Sequence, residues 1–298
     1  MQQPECVAIY FLRALAVVCI LLCHLFEAYG VSGSGLLYVG VPVFFAISGF
    51  LYGRRTISDW RGWGLKRLVK LYIPYLVFIV PALGCFLIFK PESMSVYKAL
   101  LYLFNLQGFS GGVLGLNHLW FVTAIMVCYV FLPFVQRFKK GTSVALSVSW
   151  VVFILDFLFL GGRFHWLPLY LIAYFSAVSN LKASAAVAVA FLCLQMFYPD
   201  FDEAVRYSFV RSLSGMLVVF FMIFLFQYCK HCALPPLVKW FSDNSYVLYL
   251  VHNVLMVGPF SLNAVTSCLW LNISLMLLGS FGLAVLLEKV CRFVVGKI

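Results

Sequence analysis

The chain has 298 residues, 64% hydrophobic and 10% charged, with a mean hydropathy of +1.02. Soluble domains carry about 25% charged residues, so these figures exclude a soluble domain and define a polytopic membrane protein. The net charge of +11 reads as lysine and arginine gathered on the cytoplasmic side of the spans, not as a nucleic-acid surface.

The first apolar run, 7–30, is long enough to cross a bilayer. It is too long for a signal-peptide core and lacks a basic leader and a small-residue cleavage site, so it reads as a retained span. Arg13 and His24 lie inside it. An arginine at the membrane centre costs about 2.5–3.5 kcal/mol on insertion scales, so such residues usually face protein or water. Eleven positions at about 1.5 Å rise separate the two side chains by ~16 Å along the axis. At about 100° per residue they share one helical face.

Apolar runs predict about ten spans, at 7–28, 35–53, 68–89, 118–136, 143–161, 166–181, 183–199, 207–228, 245–264 and 267–287. Of the 21 lysines and arginines, Lys90, Lys98, Arg163, Arg206 and Arg211 fall outside when the N-terminus is placed inside. Arg13 is intramembrane, and the remainder are inside. That asymmetry sets the orientation, with both termini cytoplasmic. The expected fold class is therefore all-α, a polytopic transmembrane helical bundle. It is read as a single integral-membrane domain over 1–298 with no soluble domain appended.

His24 is placed in the outer part of the first span, where an imidazole titrating near neutrality can act as a general base. Glu27, three residues on, is positioned to orient it. A histidine that only bonds a neighbouring span is the plainer reading. The inner segment 54–67 is basic and holds Arg54, Arg55, Arg61 and Lys66. With Arg67 and Lys70 it forms a cationic surface. Guanidinium forks match phosphate oxygens, although anchoring to anionic lipid would use the same charges.

The outer connection 90–117 is the longest and is rich in glycine. His118 and Trp120 follow it, and Trp120 also suits a membrane interface. Asp156 lies inside the fifth span, as structural glue or as a pathway residue. Tyr249 and His252 are three apart in the ninth span and share a face. His24, His118 and His252 thus all fall toward the outer half. No carboxylate lies at metal-ligand spacing beside them, and no metal site is expected. Most of the ten cysteines occupy apolar runs and act as small hydrophobes. Cys229 and Cys232 form a lone CxxC, short of four zinc ligands.

An ordered set of motifs goes further. Arg13-x10-His24, FFAISGFL at 44–51, RLVKLYIPY at 67–75, HLWFV at 118–122, SYVLYLVH at 245–252 and LLEK at 286–289 occur in the order found in one family. The chain resembles the acyltransferase family 3 integral-membrane O-acyltransferases, which modify sugars of surface glycans, and the resemblance covers nearly its whole length. Lys70 stands where that family usually has a second arginine; lysine keeps the charge and loses the bidentate fork. Val290 replaces the proline of the terminal motif.

The resemblance implies about ten spans and transfer of an acyl group, usually acetyl, from cytoplasmic acetyl-CoA to a carbohydrate hydroxyl. It implies a multi-pass protein of a bacterial inner membrane, with lipid, acyl-CoA and a carbohydrate acceptor as partners and no permanently bound cofactor. His24 would be the catalytic base, paired with Arg13. Arg13, Arg67, Lys70, Arg54 and Arg55 would serve the donor, and His118, Trp120, Tyr249 and His252 the acceptor. Two other readings use the same residues. A transporter or flippase of an acidic or phosphorylated solute would line its path with Arg13 and His24. A non-catalytic scaffold would leave the motif order unexplained.

Overall fold

A computed structural model describes residues 4–194, 202–228 and 233–296. Among them the secondary structure is helical, with no strand. The helices are α1 (Pro4–Ala28), α2 (Gly40–Gly53), α3 (Trp60–Phe89), α4 (Val96–Leu103), α5 (Trp120–Gln136), α6 (Thr142–Leu160), α7 (Trp166–Val178), α8 (Leu181–Leu194), α9 (Glu203–Gln227), α10 (Pro236–Asp243), α11 (Ser245–Met256) and α12 (Leu269–Val295). Seven helical stretches are long and apolar enough to cross a membrane, and α7, α8 and α11 are shorter apolar helices. The chain is a polytopic helical membrane protein, as composition requires. The far end of the predicted seventh span and the Cys229–Cys232 pair lie outside the described residues.

Contacts divide the chain into two compact units. The first comprises 1–20, 35–56 and 128–243. Apolar surface drives little association inside lipid, so its helices pack by close backbone approach at small residues. Gly49 and Gly53 of α2 lie against the Tyr170 and Tyr174 carbonyls of α7, where Ala173 and Ala177 leave room. A Cβ at either glycine would collide with those oxygens. Gly40 meets the Ala16 carbonyl of α1 in the same way, and Gly215 of α9 rests on Pro42. Asp156 lies in the last turns of α6 and is buried. Its carboxylate accepts from the Phe164 amide at 3.0 and 3.2 Å, closing the turn between α6 and α7.

The second unit comprises 21–34, 57–127 and 244–298. The Asp59 side chain accepts from the Gly62 amide at 2.9 Å and starts α3 eight residues earlier than the apolar run predicts. With 30 residues, α3 is about 45 Å long and exceeds a hydrocarbon layer of about 30 Å. Its basic first turns therefore extend beyond the apolar span. Tyr75, Ile79, Leu83 and Phe86 form its buried stripe.

The predicted ninth span ends early. Helix α11 stops at Met256, giving 12 residues, about 18 Å. Gly258, at φ +98°, and Pro259 break it. The Leu262 amide bonds back to the Leu255 carbonyl at 2.9 Å. Asn272 of α12 holds the rest of the segment, donating to the Asn263 and Thr266 carbonyls at 3.0 and 2.8 Å and accepting from the Thr266 amide. Non-helical backbone inside a membrane protein must be satisfied internally in this way.

The connection 90–117 is a built structure. The Tyr75 hydroxyl donates to the Tyr102 carbonyl at 2.5 Å. The Tyr102 hydroxyl accepts from the Val113 amide at 2.8 Å, and burial pushes its phenol up to about 12. Asn105 takes φ +55°, a left-handed conformation that asparagine tolerates better than most residues. Its carbonyl accepts from the Thr123 hydroxyl at 3.0 Å. Gln107 Nε2 donates to Asn105 Oδ1 at 3.1 Å and to the Leu119 carbonyl at 3.0 Å. The last bond fixes the backbone immediately after His118.

Candidate active site

Three segments of the second unit bring three imidazoles together: the last turns of α1, the short 3-10 turn Asn117–Leu119 and helix α11. Ring centroids are 5.2 Å apart for His24 and His252, 5.0 Å for His118 and His252, and 6.3 Å for His24 and His118. Exposure falls from 5% at His24 and 3% at His118 to 0% at His252. Tyr249 completes the group, its ring 5.3 Å from that of His118 and its hydroxyl donating to the His118 carbonyl.

Hydrogen bonds assign the tautomers, because a ring nitrogen that faces an oxygen acceptor must carry the proton. Nδ1 of His24 lies 2.7 Å from Oε2 of Glu27, so it donates to that carboxylate and the lone pair of the neutral ring falls on Nε2. His118 donates from Nε2 to the Leu250 carbonyl at 3.2 Å, leaving its lone pair on Nδ1. His252 donates from Nδ1 to the Tyr249 and Leu248 carbonyls at 2.9 and 3.1 Å, leaving its lone pair on Nε2. Nδ1 of His118 and Nε2 of His252 are buried and receive no hydrogen bond from any described residue. Buried acceptors of this kind call for a donor, which a substrate hydroxyl or a water can supply. Among the described residues no group of three or more His, Cys, Asp or Glu side chains is set to hold a metal ion.

The sequence-predicted residues separate accordingly. His24, His118, Tyr249 and His252 converge. Trp120 is half-buried at the start of α5, two residues past His118. Arg67 and Lys70 sit in the early turns of α3, half-buried and exposed respectively. The Tyr246 hydroxyl donates to the Leu71 carbonyl at 2.7 Å, tying the first turn of α11 to this basic part of α3. Six residues further along α11, about 9 Å, stands His252. Arg13, half-buried on α1, and Arg54 and Arg55, exposed after α2, belong to the first unit.

Some contributors were not anticipated. Asn253 donates to Asn117 Oδ1 at 3.1 Å, joining α11 to the turn that carries His118. It is fully buried in an apolar helix, the same kind of signal that marked His24. Gln107 left no such mark, since polar residues are ordinary in a loop. In the first unit, Lys139 donates to the Arg55 carbonyl at 2.7 Å and lies 5.8 Å from the Tyr174 ring. It thereby fixes the turn bearing Arg54 and Arg55.

The fold is that of a multi-span membrane protein, and its second unit buries three imidazoles side by side. Over residues 7–289 the chain matches the acyltransferase domain model, and it belongs to that family. Among curated relatives, O-acetyltransferase OatA of Staphylococcus aureus, in strains NCTC 8325 / PS 47, COL and MRSA252, is 31% identical over 173 residues. That alignment covers 50% of this chain and 28% of the relative, so the chain matches less than a third of the relative's length. No solved structure matches.

Proposed function

We propose that the protein is a membrane O-acetyltransferase, moving an acetyl group from cytoplasmic acetyl-CoA to a sugar hydroxyl of a surface glycan or its lipid-linked precursor in a bacterial inner membrane. Family membership and the likeness to OatA support acyl transfer to oxygen. The observation that carries the residue assignment is the Glu27–His24 hydrogen bond, which leaves the basic lone pair on Nε2 of His24.

In this reading His24 Nε2 takes the proton of the acceptor hydroxyl as its oxygen attacks the thioester carbonyl. The tetrahedral species collapses, the coenzyme A thiolate leaves, and the imidazolium returns the proton to it. Glu27 stabilises the imidazolium during that interval. The lone pairs of His118 and His252 accept from neighbouring sugar hydroxyls, with Trp120 and Tyr249 shaping the acceptor side. Arg67 and Lys70, in the same unit as the histidines, supply cationic charge for the coenzyme A phosphates.

The test is a transfer assay in proteoliposomes containing the purified protein, acetyl-CoA labelled in the acetyl group and a detergent-soluble glycan acceptor. Label should appear on the glycan in step with free thiol. Movement of glycan across the bilayer with no thioester consumption would replace this reading by the transporter.

A further inference from the structure

Away from the histidines, the first unit carries a groove between α8 and α9. It encloses about 450 Å³ and is lined by Leu181, Ala185, Leu217, Phe221 and Phe224, with Lys182 the charged residue of its lining. Such a volume lies within the range of small-molecule sites. Phe221 is 61% exposed, so the groove opens sideways on the outer surface of the α8–α9 pair, the surface lipid would cover. Lys182 Nζ stands 5.7 Å from the Phe224 ring centroid, a cation–π contact that keeps the ammonium beside the apolar trough.

Lys182 is also in the first turn of α8, a position where the helix dipole disfavours a cation and favours an anion. Asn180 Oδ1 caps the helix by accepting from the Ala183 amide at 3.0 Å, and the positive end of the helix dipole lies beside the ammonium. The lysine is therefore placed against the local field, and a bound anion relieves both charges.

We propose that this groove is a binding site for an anionic phospholipid of the surrounding bilayer, with one acyl chain along α9 and the phosphate on Lys182 at the α8 N-terminus. Lys182 attracts the phosphate of any phospholipid, but the ammonium of a zwitterionic headgroup would lie beside it and be repelled, so a headgroup of net negative charge is favoured. The site is independent of the acyl-transfer reading and uses none of its residues.

The experiment is native mass spectrometry of the full chain released from micelles holding equal amounts of dioleoylphosphatidylglycerol and dioleoylphosphatidylcholine. Wild type should retain phosphatidylglycerol in preference. Lys182→Gln should lower its retention roughly fivefold, the worth of one lysine against an anionic lipid surface, with phosphatidylcholine unchanged. Ala185→Trp, which fills the trough, should lower retention of both. Lys98→Gln, on exposed α4, should match wild type. Equal phosphatidylglycerol retention by wild type and Lys182→Gln would overturn the proposal. So would its full displacement by an equal concentration of a polyprenyl phosphate.

Discussion

Nδ1 of His24 and Oε2 of Glu27 are 2.7 Å apart, and that one hydrogen bond decides which nitrogen of the histidine is basic. Glu27 is half-exposed, with 49% of its side-chain surface accessible, while His24 is buried. The carboxylate thus stays solvated while it holds a buried ring. In Glu27→Gln the tautomer loses its strongest determinant, and turnover should fall about 10- to 100-fold, the range seen when a partner orienting a histidine is removed from a metal site. The KM for acetyl-CoA should stay near wild type, since the Glu27 carboxylate acts on the His24 ring. The assay is steady-state transfer in proteoliposomes.

Asn253 and Asn117 hold α11 to the turn bearing His118. Asn253→Leu keeps the volume and removes the bond, at a stability cost of about 1 kcal/mol. The specific expectation is a split in the kinetics. The KM for the acceptor should rise while the KM for acetyl-CoA stays constant. Equal changes in both would mark Asn253 as a general structural residue.

Gly49 touches the Tyr170 carbonyl through backbone alone. Gly49→Ala should destabilise the protein by roughly 1–3 kcal/mol, the cost of overpacking a close contact. Gly64 of α3 has open space where a Cβ would go, so Gly64→Ala should be neutral or slightly stabilising, by about 0.5–1 kcal/mol. Thermal unfolding of both variants in detergent distinguishes the two kinds of glycine.

The spans were legible because apolar length is a one-dimensional property. So were Arg13 and His24, because polar groups are rare in such runs. The early stop of α11 was only half legible. Gly258 and Pro259 mark a break, but the residues after them are apolar enough to read as continued span. What satisfies the backbone there is Asn272, which lies in another helix. That His24, His118 and His252 share the outer half of the membrane was legible, and the resemblance put them on one acceptor side, but their ring-to-ring geometry was not. The tautomers depend on the carbonyls of Leu248, Tyr249 and Leu250, and backbone oxygens leave no trace in sequence. Gln107 and Lys139 went unread for a similar reason. Each acts on a main-chain carbonyl far from it in the chain.

His165, in the turn before α7 and outside the spans, gives a pH signature. Burial, opposed by its bond to the Gly162 carbonyl and reinforced by the charge of Arg211, pushes its imidazole down to about 4. An unfolded histidine titrates near 6.5. Between those values the unfolded chain binds more protons, so stability rises with pH in that window. The contribution is present above about pH 6.5 and is lost as pH falls toward about 4. The ring is partly open to the surface, so the loss should be on the order of 1–2 kcal/mol, below the full value of the shift. His165→Asn should flatten this part of the melting-temperature profile between pH 7 and pH 4.5.

The most direct measurement is the O-acetyl content of surface glycans, read by mass spectrometry, in cells carrying the wild-type protein or His24→Ala at matched membrane levels. The acetylated species should fall about 10²- to 10⁴-fold in the variant, the usual worth of a general base. Arg206→Ala, outside the histidine group, should leave it unchanged. Full acetylation by normally expressed His24→Ala would contradict the assignment of His24 as the base.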